Sequence, residues 1–170
     1  RQRQMCIRDR IFVVDAKSAN IEIVKLTTVD KTRQYSEVIC KNLEAELLEN
    51  SSDSEEPINQ TIDAGRIMLA ADSLGASQTM IEKAVDYAKE RKQFGRAIGS
   101  FQAVKHMCAE MVADLEPCYA LVWHASHCHD HSPVEARLKA CHAKAHVSEM
   151  SKGIAKKLSL IHISRCRRAI

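Results

Sequence analysis

The pattern of apolar and polar positions divides the chain at a polar, acidic stretch over residues 50–57. Before this stretch, apolar residues form short runs or alternate with polar ones at residues 11–16, 21–27 and 35–40. Such patterns are typical of β-strands joined by polar turns. Because so few strands cannot make a stable sheet on their own, we expect residues 11–49 to be the closing strands of a larger β-domain.

Beyond residue 57 the apolar positions recur at steps of three and four, which predicts helices. The first helix is expected to begin at Asn59 or Gln60 and to end at Lys92. Gly95 lies just past this end, where a left-handed residue often closes a helix. The second helix is expected to begin near Ser100.

Prolines help to locate the bends and ends of the later helices. Pro117 lies inside the second helix and should bend it or end it near Leu115. The third helix has the clearest start in the chain, with Ser132 as N-cap, Pro133 as the first helical residue and Glu135 as the capping-box partner.

The helical periodicity also predicts which residues face a core. They are Ile67, Ala71, Leu74, Ile81, Val85 and Ala88 in the first helix, Val104, Met107, Met111, Leu115 and Val122 in the second, and Val134, Leu138, Cys141 and Ala145 in the third. Short connections between long helices favour antiparallel neighbours. The expected fold class is therefore mainly α, an up-and-down helical bundle preceded by a few β-strands from a truncated β-domain.

Composition is compatible with this fold and excludes several functions. The aromatic content of 4% requires a core of aliphatic residues and alanine, which favours helices. A net charge of +3 is too small to indicate a nucleic-acid partner, and no apolar run approaches the ~20 residues that span a bilayer. Seven cysteines without a regular spacing, and no signal peptide before them, indicate reduced thiols in a cytosol-like compartment.

The two ends of the chain differ from the rest. Residues 1–10 (RQRQMCIRDR) and 158–168 (LSLIHISRCRR) resemble translated sequencing-adapter sequence, so we expect residues 1–10 and 158–170 to be artefactual tails. The expected organisation is then closing β-strands at residues 11–49, a linker at 50–57, and an incomplete helical bundle at 58–157.

Candidate chemistry is concentrated at the junction between the first two helices. The N-terminus of the second helix presents unpaired N–H groups and a positive dipole end, which suits a phosphate. Arg91 adds a planar guanidinium, Phe94 a flat apolar ring, and Gln102 both a donor and an acceptor. Taken alone, these residues fit an anion site or an ordinary helix–loop–helix with a surface arginine.

A family resemblance favours the first interpretation. The segment YAKERKQFGRAIGSFQA at residues 87–103 fits the pattern Y-A-x-x-R-x-Q-F-G-x-x-I-x-x-F-Q-A and resembles the C-terminal helical domain of acyl-CoA dehydrogenases. Phe12-Val-Val-Asp and residues 28–33 (TVDKTR) are similar to the closing strands of that family's middle β-domain. The resemblance covers about residues 11–157.

The resemblance implies an FAD site shared between subunits. In that family the corresponding residues contact the FAD of a neighbouring subunit near its pyrophosphate and adenine half. In this chain they are Arg91, Gln93, Phe94 and Gln102, with Phe101 adjacent. A homo-oligomer, either a dimer or a tetramer, is therefore expected.

The resemblance also implies a substrate and a reaction. Asp63 and Arg66 occupy a D-x-x-R motif that lines the acyl-CoA channel. The expected reaction abstracts an α-proton from an acyl-CoA thioester and transfers a hydride from the β-carbon to flavin, giving the 2,3-enoyl-CoA. Some family members place the base immediately before the arginine, but here that position is Gly65. We therefore expect the base in a missing C-terminal segment, and the fragment alone to be inactive.

The expected electron acceptor is an electron-transfer flavoprotein or a similar protein. The expected compartment is the bacterial cytoplasm or the mitochondrial matrix.

Two alternatives remain open at this stage. One is a non-catalytic helical scaffold of the same fold. The other is a metal-binding helical module built on the cluster His124, His127, Cys128, His129 and His131. Three of these histidines point in different directions on a helix and no CxxC pair completes a site, so no metal is expected. His142 and His146 share a helix face, and the acidic group of Glu110, Asp114 and Glu116 is expected to be a solvated surface.

Overall fold

The computed structural model describes residues 11–48 and 55–163, and the chain forms two compact units, one up to Ile58 and one from Asn59. The first unit contains two antiparallel strand pairs. Strand β1 (Phe12–Val13) pairs with β4 (Glu46–Leu47), and β2 (Ile21–Lys25) pairs with β3 (Ser36–Cys40). The second pair places Ile23 opposite Val38, and both side chains are exposed.

The second unit is built from three long helices. The elements are α1 (Glu55–Glu90), strands β5 (Lys92–Gln93) and β6 (Arg96–Ala97), a 3₁₀ turn (Ile98–Ser100), α2 (Gln102–His131), α3 (Pro133–Leu158) and a π-helical turn (Ser159–Ile163). The predicted fold class, a mainly α bundle preceded by a few β-strands, is confirmed.

Helix α1 begins earlier than predicted. It starts at Glu55 rather than at Asn59 or Gln60, and it ends at Glu90 rather than at Lys92. Pro57 lies in the first turn, where its missing N–H costs nothing because that donor has no partner within a helix. The end of the predicted linker at residues 50–57 is therefore helical, and residues 49–54 lie outside the described part of the chain.

Pro117 does not end α2, which contradicts one of the two outcomes expected for it. The helix continues from Gln102 through Pro117 to His131. A proline inside a helix costs about 3 kcal/mol. Met111 and Leu115 before the proline and Cys118 after it are all buried, so packing on both sides holds the helix together.

A single residue joins α2 to α3. The N–H of Ser132 donates to the carbonyl of Cys128 at 2.8 Å and closes α2. The carbonyl of Ser132 accepts from Glu135 N–H at 3.0 Å and from Ala136 N–H at 3.1 Å, and so opens α3. Ser132 and Pro133 therefore hold their predicted positions, but the Ser132 side chain makes no capping bond. The capping box predicted with Glu135 is wrong because backbone atoms alone cap this end.

The core lies between the three helices. Its buried members are Ile67, Ala70, Leu74, Ile81, Ala84 and Ala88 of α1, Met111, Leu115, Cys118, Val122 and Ala125 of α2, and Ala140, Ala143, Val147 and Ile154 of α3, with Ile161 beyond it. The predicted faces of α1 and α2 are largely confirmed, with Ala71 as an exposed exception.

The predicted face of α3 is wrong. Val134 is 98% exposed and Leu138 is 67% exposed, Ala145 is also exposed, and Cys141 is only half-buried. Over the same stretch of α3, the residues that face the core are Ala136, Ala140, Ala143 and Val147. Each lies two positions after a predicted one, which is a rotation of about 200° around a helix. Three of these four residues are alanines, whose small side chains allow helices to approach closely.

Polar contacts between side chains also join the helices to one another. Tyr119 of α2 donates its hydroxyl to Gln78 Oε1 of α1 at 3.0 Å. The fully buried Ser77 of α1 contacts Ser151 of α3 at 2.8 Å between their hydroxyl oxygens, and it donates to the Ser73 carbonyl at 2.7 Å.

The predicted acidic surface at Glu110, Asp114 and Glu116 has a partner on α3. The ammonium of Lys157 lies 2.9 Å from Asp114 Oδ2 and 3.2 Å from Glu110 Oε2. Hydrogen bonds to Asp114 and then Glu110 raise the pKa of Lys157 above its ordinary value, against a smaller desolvation effect. The two carboxylates therefore belong to an interhelical ion-pair network.

The helical unit continues beyond residue 157, where the sequence analysis ends it. The π-helical turn follows α3 directly, and Ile161 within it is buried against the core. Of the tails predicted at residues 1–10 and 158–170, the whole of the first and residues 164–170 of the second lie outside the described residues. Within the described part of the chain, none of the helices combines the length and the apolarity that crossing a membrane requires.

Candidate functional site: the hairpin between α1 and α2

A two-stranded hairpin connects α1 to α2, where the sequence analysis expected only a short loop. Arg91 N–H donates to the Tyr87 carbonyl at 2.9 Å and closes α1. Strands β5 and β6 then pair so that Lys92 lies opposite Ala97. Ile98 N–H returns to the Arg91 carbonyl at 2.7 Å. The base of the hairpin is thereby fixed to the end of α1.

The turn of this hairpin has two residues with positive φ. The φ angle is 52° at Phe94 and 78° at Gly95.

 Positive φ at both central residues is the signature of a type I′ turn, whose twist suits a two-residue hairpin. Gly95 is thus left-handed as predicted, but as a hairpin residue and not as the end of α1.

Phe94 is held in an unfavourable backbone conformation while its ring is almost fully in solvent. A left-handed conformation costs a residue with a side chain about 1–2 kcal/mol, and the residue is 92% exposed. Packing within the described residues therefore does not repay the cost. An exposed, strained aromatic residue is more typical of a binding surface than of a structural turn.

Arg96 and Phe101 complete an aromatic and cationic surface beside this turn. The guanidinium carbon of Arg96 lies 4.1 Å from the centroid of the Phe101 ring, within the range of a cation–π contact. The rings of Phe94 and Phe101 are 6.2 Å apart between centroids, at an interplanar angle of 81°. The sequence alone predicts no role for Arg96, although this residue directly follows Gly95.

The N-terminus of α2 is open beside this surface. Phe101 occupies the N-cap position without a side-chain capping bond, and the first turn contains no acidic residue. The Phe101 carbonyl accepts from the N–H groups of Val104 and Lys105, each at 3.1 Å. The N–H groups of Gln102 and Ala103 have no partner within the helix. This end of α2 can therefore donate hydrogen bonds to an anion.

The charge around the hairpin favours an anion as well. Five cationic residues and one acid lie between residues 89 and 105: Lys89, Arg91, Lys92, Arg96 and Lys105 against Glu90. Gln93 Nε2 donates to the Lys92 carbonyl at 2.8 Å, and Gln102 Nε2 lies 2.9 Å from His106 Nε2. All five residues expected to contact FAD, namely Arg91, Gln93, Phe94, Phe101 and Gln102, lie at this one junction.

Gly99 brings the 3₁₀ turn into close contact with the end of α1. A Cβ at this position would lie 2.9 Å from the Ala88 carbonyl oxygen. A cavity of about 250 Å³ opens beside this contact and is lined in part by Val104 and Cys108. Desolvation raises the pKa of the Cys108 thiol, so this thiol stays neutral at physiological pH.

The predicted substrate-binding residues lie near the other end of α1. Asp63 is 4% exposed, and Arg66 donates to its Oδ1 from Nη1 as an i, i+3 ion pair. A Cβ added to Gly65 would meet no atom within 4 Å, so open space lies beside this pair.

Helix α1 separates these two groups of residues. Arg66 precedes Glu90 by 24 positions, which is about 36 Å along a helix axis. Within one chain, the structure therefore does not bring Asp63 and Arg66 to the hairpin residues.

Comparison with known proteins places this geometry in a family. A family model described as the acyl-CoA dehydrogenase C-terminal domain matches residues 56–162. The chain is 33% identical over 160 residues to the caffeyl-CoA reductase–Etf complex subunit CarC of Acetobacterium woodii. This match covers 89% of the chain and 41% of that protein, so the chain spans about two fifths of the length of that relative.

Solved structures share the fold. Butyryl-CoA dehydrogenase from Megasphaera elsdenii has a TM-score of 0.81 at 23% identity, over 94% of this chain and 43% of that one. PigA with FAD and proline has a TM-score of 0.78 at 20% identity, over 93% of this chain and 42% of that one. The family model covers more than half of the sequence, and it includes both the hairpin and the Asp63–Arg66 pair. The chain belongs to the acyl-CoA dehydrogenase family.

Proposed function

We propose that the protein is an FAD-dependent acyl-CoA dehydrogenase and that this chain contributes the α1–α2 hairpin to an FAD site. The observation that carries the proposal is the strained and exposed Phe94 beside the open N-terminus of α2. Neither feature is explained by packing among the described residues.

The residues at the hairpin fit the chemistry of FAD. A pyrophosphate requires N–H donors and positive charge, which the Arg91 guanidinium and the free amides of Gln102 and Ala103 offer. A planar ring requires a flat apolar partner, which the exposed ring of Phe94 offers. The carboxamide of Gln93 lies on the same hairpin and adds both a donor and an acceptor.

The separation along α1 supports an FAD site shared between subunits. The Asp63–Arg66 pair, proposed to line the acyl-CoA channel, is about 36 Å from the hairpin. We therefore assign the hairpin to the FAD of a neighbouring subunit, in a homodimer or homotetramer. Each subunit would then bind substrate at one end of α1 and assist its neighbour's cofactor at the other.

The proposed reaction is the oxidation of an acyl-CoA thioester to the 2,3-enoyl-CoA. Bound FAD supplies the acceptor for the hydride that leaves the β-carbon. The buried carboxylate of Asp63 holds the Arg66 guanidinium in place beside the proposed channel. Gly65 has no group that can take the α-proton, so the base is a different residue. Similarity to a subunit of an Etf complex supports an electron-transfer flavoprotein as the acceptor.

The test compares Arg91→Ala and Gln102→Ala with Arg137→Ala, which removes an exposed arginine from α3. FAD content after gel filtration is measured for each purified protein, followed by flavin bleaching on addition of acyl-CoA. We expect the first two variants to lose at least tenfold in FAD affinity and Arg137→Ala to bind like the wild type. Equal retention by all three variants would refute the role of the hairpin.

The same assay separates the enzyme from a non-catalytic scaffold of this fold. A scaffold would retain FAD, but no acyl-CoA would bleach the flavin absorbance. Bleaching by a saturated acyl-CoA together with formation of the enoyl-CoA supports the dehydrogenase.

A further inference from the structure

Three side chains of metal-binding type converge where α2 meets α3. His124 and Cys128 are one turn apart on α2, and Glu135 lies in the first turn of α3. One potential ligand atom from each lies within 4.8 Å of the other two. The Cys128 sulfur is 3.8 Å from His124 Nε2 and 4.0 Å from His124 Nδ1.

The tight connection between the helices creates this cluster. Because Ser132 alone separates α2 from α3, the first turn of α3 lies beside the last turns of α2. Glu135 is not used as a capping residue. Its carboxylate has no hydrogen bond or ion pair to any other part of the described chain, so it is available to an ion.

The ligand set matches zinc better than other common cations. Zinc binds imidazole nitrogen, thiolate sulfur and carboxylate oxygen at about 2.0–2.3 Å, which separates a nitrogen and a sulfur ligand by about 3.6 Å in a tetrahedral site. The observed 3.8 Å is close to this value. Magnesium and calcium prefer oxygen ligands alone.

The burial of the three residues suits an ion held at the surface. Cys128 is 2% exposed and lies on the inner side, whereas His124 and Glu135 are exposed. A change of rotamer at the exposed Glu135 can bring its carboxylate closer without moving the backbone. The outer side remains open for a fourth ligand such as water.

We propose that His124, Cys128 and Glu135 form a zinc site that joins α2 to α3. From the sequence alone no metal is expected, because the neighbouring histidines point in different directions on α2. Glu135 was absent from that cluster because it lies beyond the turn. The site is about 33 Å along α2 from Gln102, so it is independent of the proposed FAD site.

The experiment adds Zn²⁺ or Co²⁺ to the whole reduced chain, prepared without a histidine tag. Co²⁺ bound to a thiolate gives a charge-transfer absorption that histidine and carboxylate ligands do not give. We expect one ion per chain, with a charge-transfer band that disappears in Cys128→Ser. His124→Asn and Glu135→Gln, both at exposed positions, should weaken binding at least tenfold without loss of helical circular dichroism.

The matched control is the double variant His142→Asn, His146→Asn, which removes another i, i+4 histidine pair whose rings are 6.2 Å apart. This variant should bind like the wild type. Loss of binding in the control, or unchanged binding in His124→Asn and Glu135→Gln, would identify an adventitious ion only and overturn the proposal. A charge-transfer band that persists in Cys128→Ser would do the same, because another cysteine would then be the ligand.

Discussion

Gly99 provides a sensitive test of how the hairpin is attached to α1. In Gly99→Ala the new Cβ would lie 2.9 Å from the Ala88 carbonyl oxygen and 3.3 Å from its carbonyl carbon. Ordinary contacts between a carbon and an oxygen atom have separations of at least about 3.3 Å. Both of these Ala88 atoms are backbone and cannot rotate away. Either the 3₁₀ turn or the last turn of α1 must therefore move.

The expected cost follows from overpacking, which is typically about 1–3 kcal/mol. For a chain of this size, 1 kcal/mol corresponds to about 2–4 °C in Tm. A cost of about 2 kcal/mol therefore lowers Tm by about 4–8 °C. The shift would also displace Arg96 and Phe101, so FAD affinity should fall together with stability.

Gly75→Ala is the matched control, because the substitution is the same and the surroundings are different. Gly75 lies inside α1 and is exposed, and a Cβ there would meet no atom within 4 Å. Alanine in place of glycine inside a helix stabilises by about 0.5–1 kcal/mol. Thermal unfolding followed by far-ultraviolet circular dichroism should show opposite shifts for the two variants. If Gly99→Ala melts at or above the wild-type temperature, the close contact with Ala88 does not exist.

Three further predictions address the strained turn, the ion-pair network and the core. Phe94→Gly should raise the free energy of unfolding in urea by up to about 1 kcal/mol, because glycine adopts positive φ freely. The same variant should bind FAD more weakly. A lower free energy of unfolding would refute the strain at Phe94. Lys157→Met should cost about 1 kcal/mol at neutral pH. Asp114 raises the pKa of Lys157 in the folded state. The stability difference between the wild type and Lys157→Met should therefore be complete below the ordinary lysine pKa and vanish as the pH rises through the higher pKa of the folded state. A stability difference that is unchanged at strongly alkaline pH contradicts this role of the ion pair. Ile154 is fully buried. Ile154→Ala should lower the free energy of unfolding by about 2–5 kcal/mol, and Ile154→Val should lower it by about 0.5–1.5 kcal/mol. Equal losses in the two variants would argue against tight packing around Ile154.

The sequence predicts α1 and α2 well because large apolar residues mark their buried faces. Leu74 and Ile81 of α1, like Met111 and Leu115 of α2, are large apolar side chains and are all buried. Periodicity and hydrophobicity then give the same answer. The class of the fold and the location of the candidate site both follow from these two helices and the motif between them.

Helix α3 shows where this reasoning fails. In its first half the buried residues are the alanines Ala136, Ala140 and Ala143, whereas the larger apolar residues Val134 and Leu138 are exposed. A ranking by hydrophobicity therefore selects the wrong side. Close approach between helices selects small residues, and that requirement is set by the neighbouring helix and not by the sequence of α3 itself.

The hairpin was missed for a local reason. Two-residue hairpin turns usually carry Asn-Gly or Asp-Gly at their centre, but this turn carries Phe94 and Gly95. A bulky residue in the left-handed region gives no recognisable turn signal. Glu135 was missed as a potential metal ligand because its neighbours His124 and Cys128 lie on the preceding helix.

The single residue between α2 and α3 has a consequence for the order of folding. Contacts beside Ser132 join residues close together in sequence, and such contacts form early because little chain must be ordered to make them. By contrast, the contact between Ser77 and Ser151 spans 74 residues. The hairpin is held to α1 by contacts that are similarly local, such as the bond from Ile98 N–H to the Arg91 carbonyl. The candidate cofactor site therefore depends on local contacts, and it does not require the distant contact between α1 and α3 to form first.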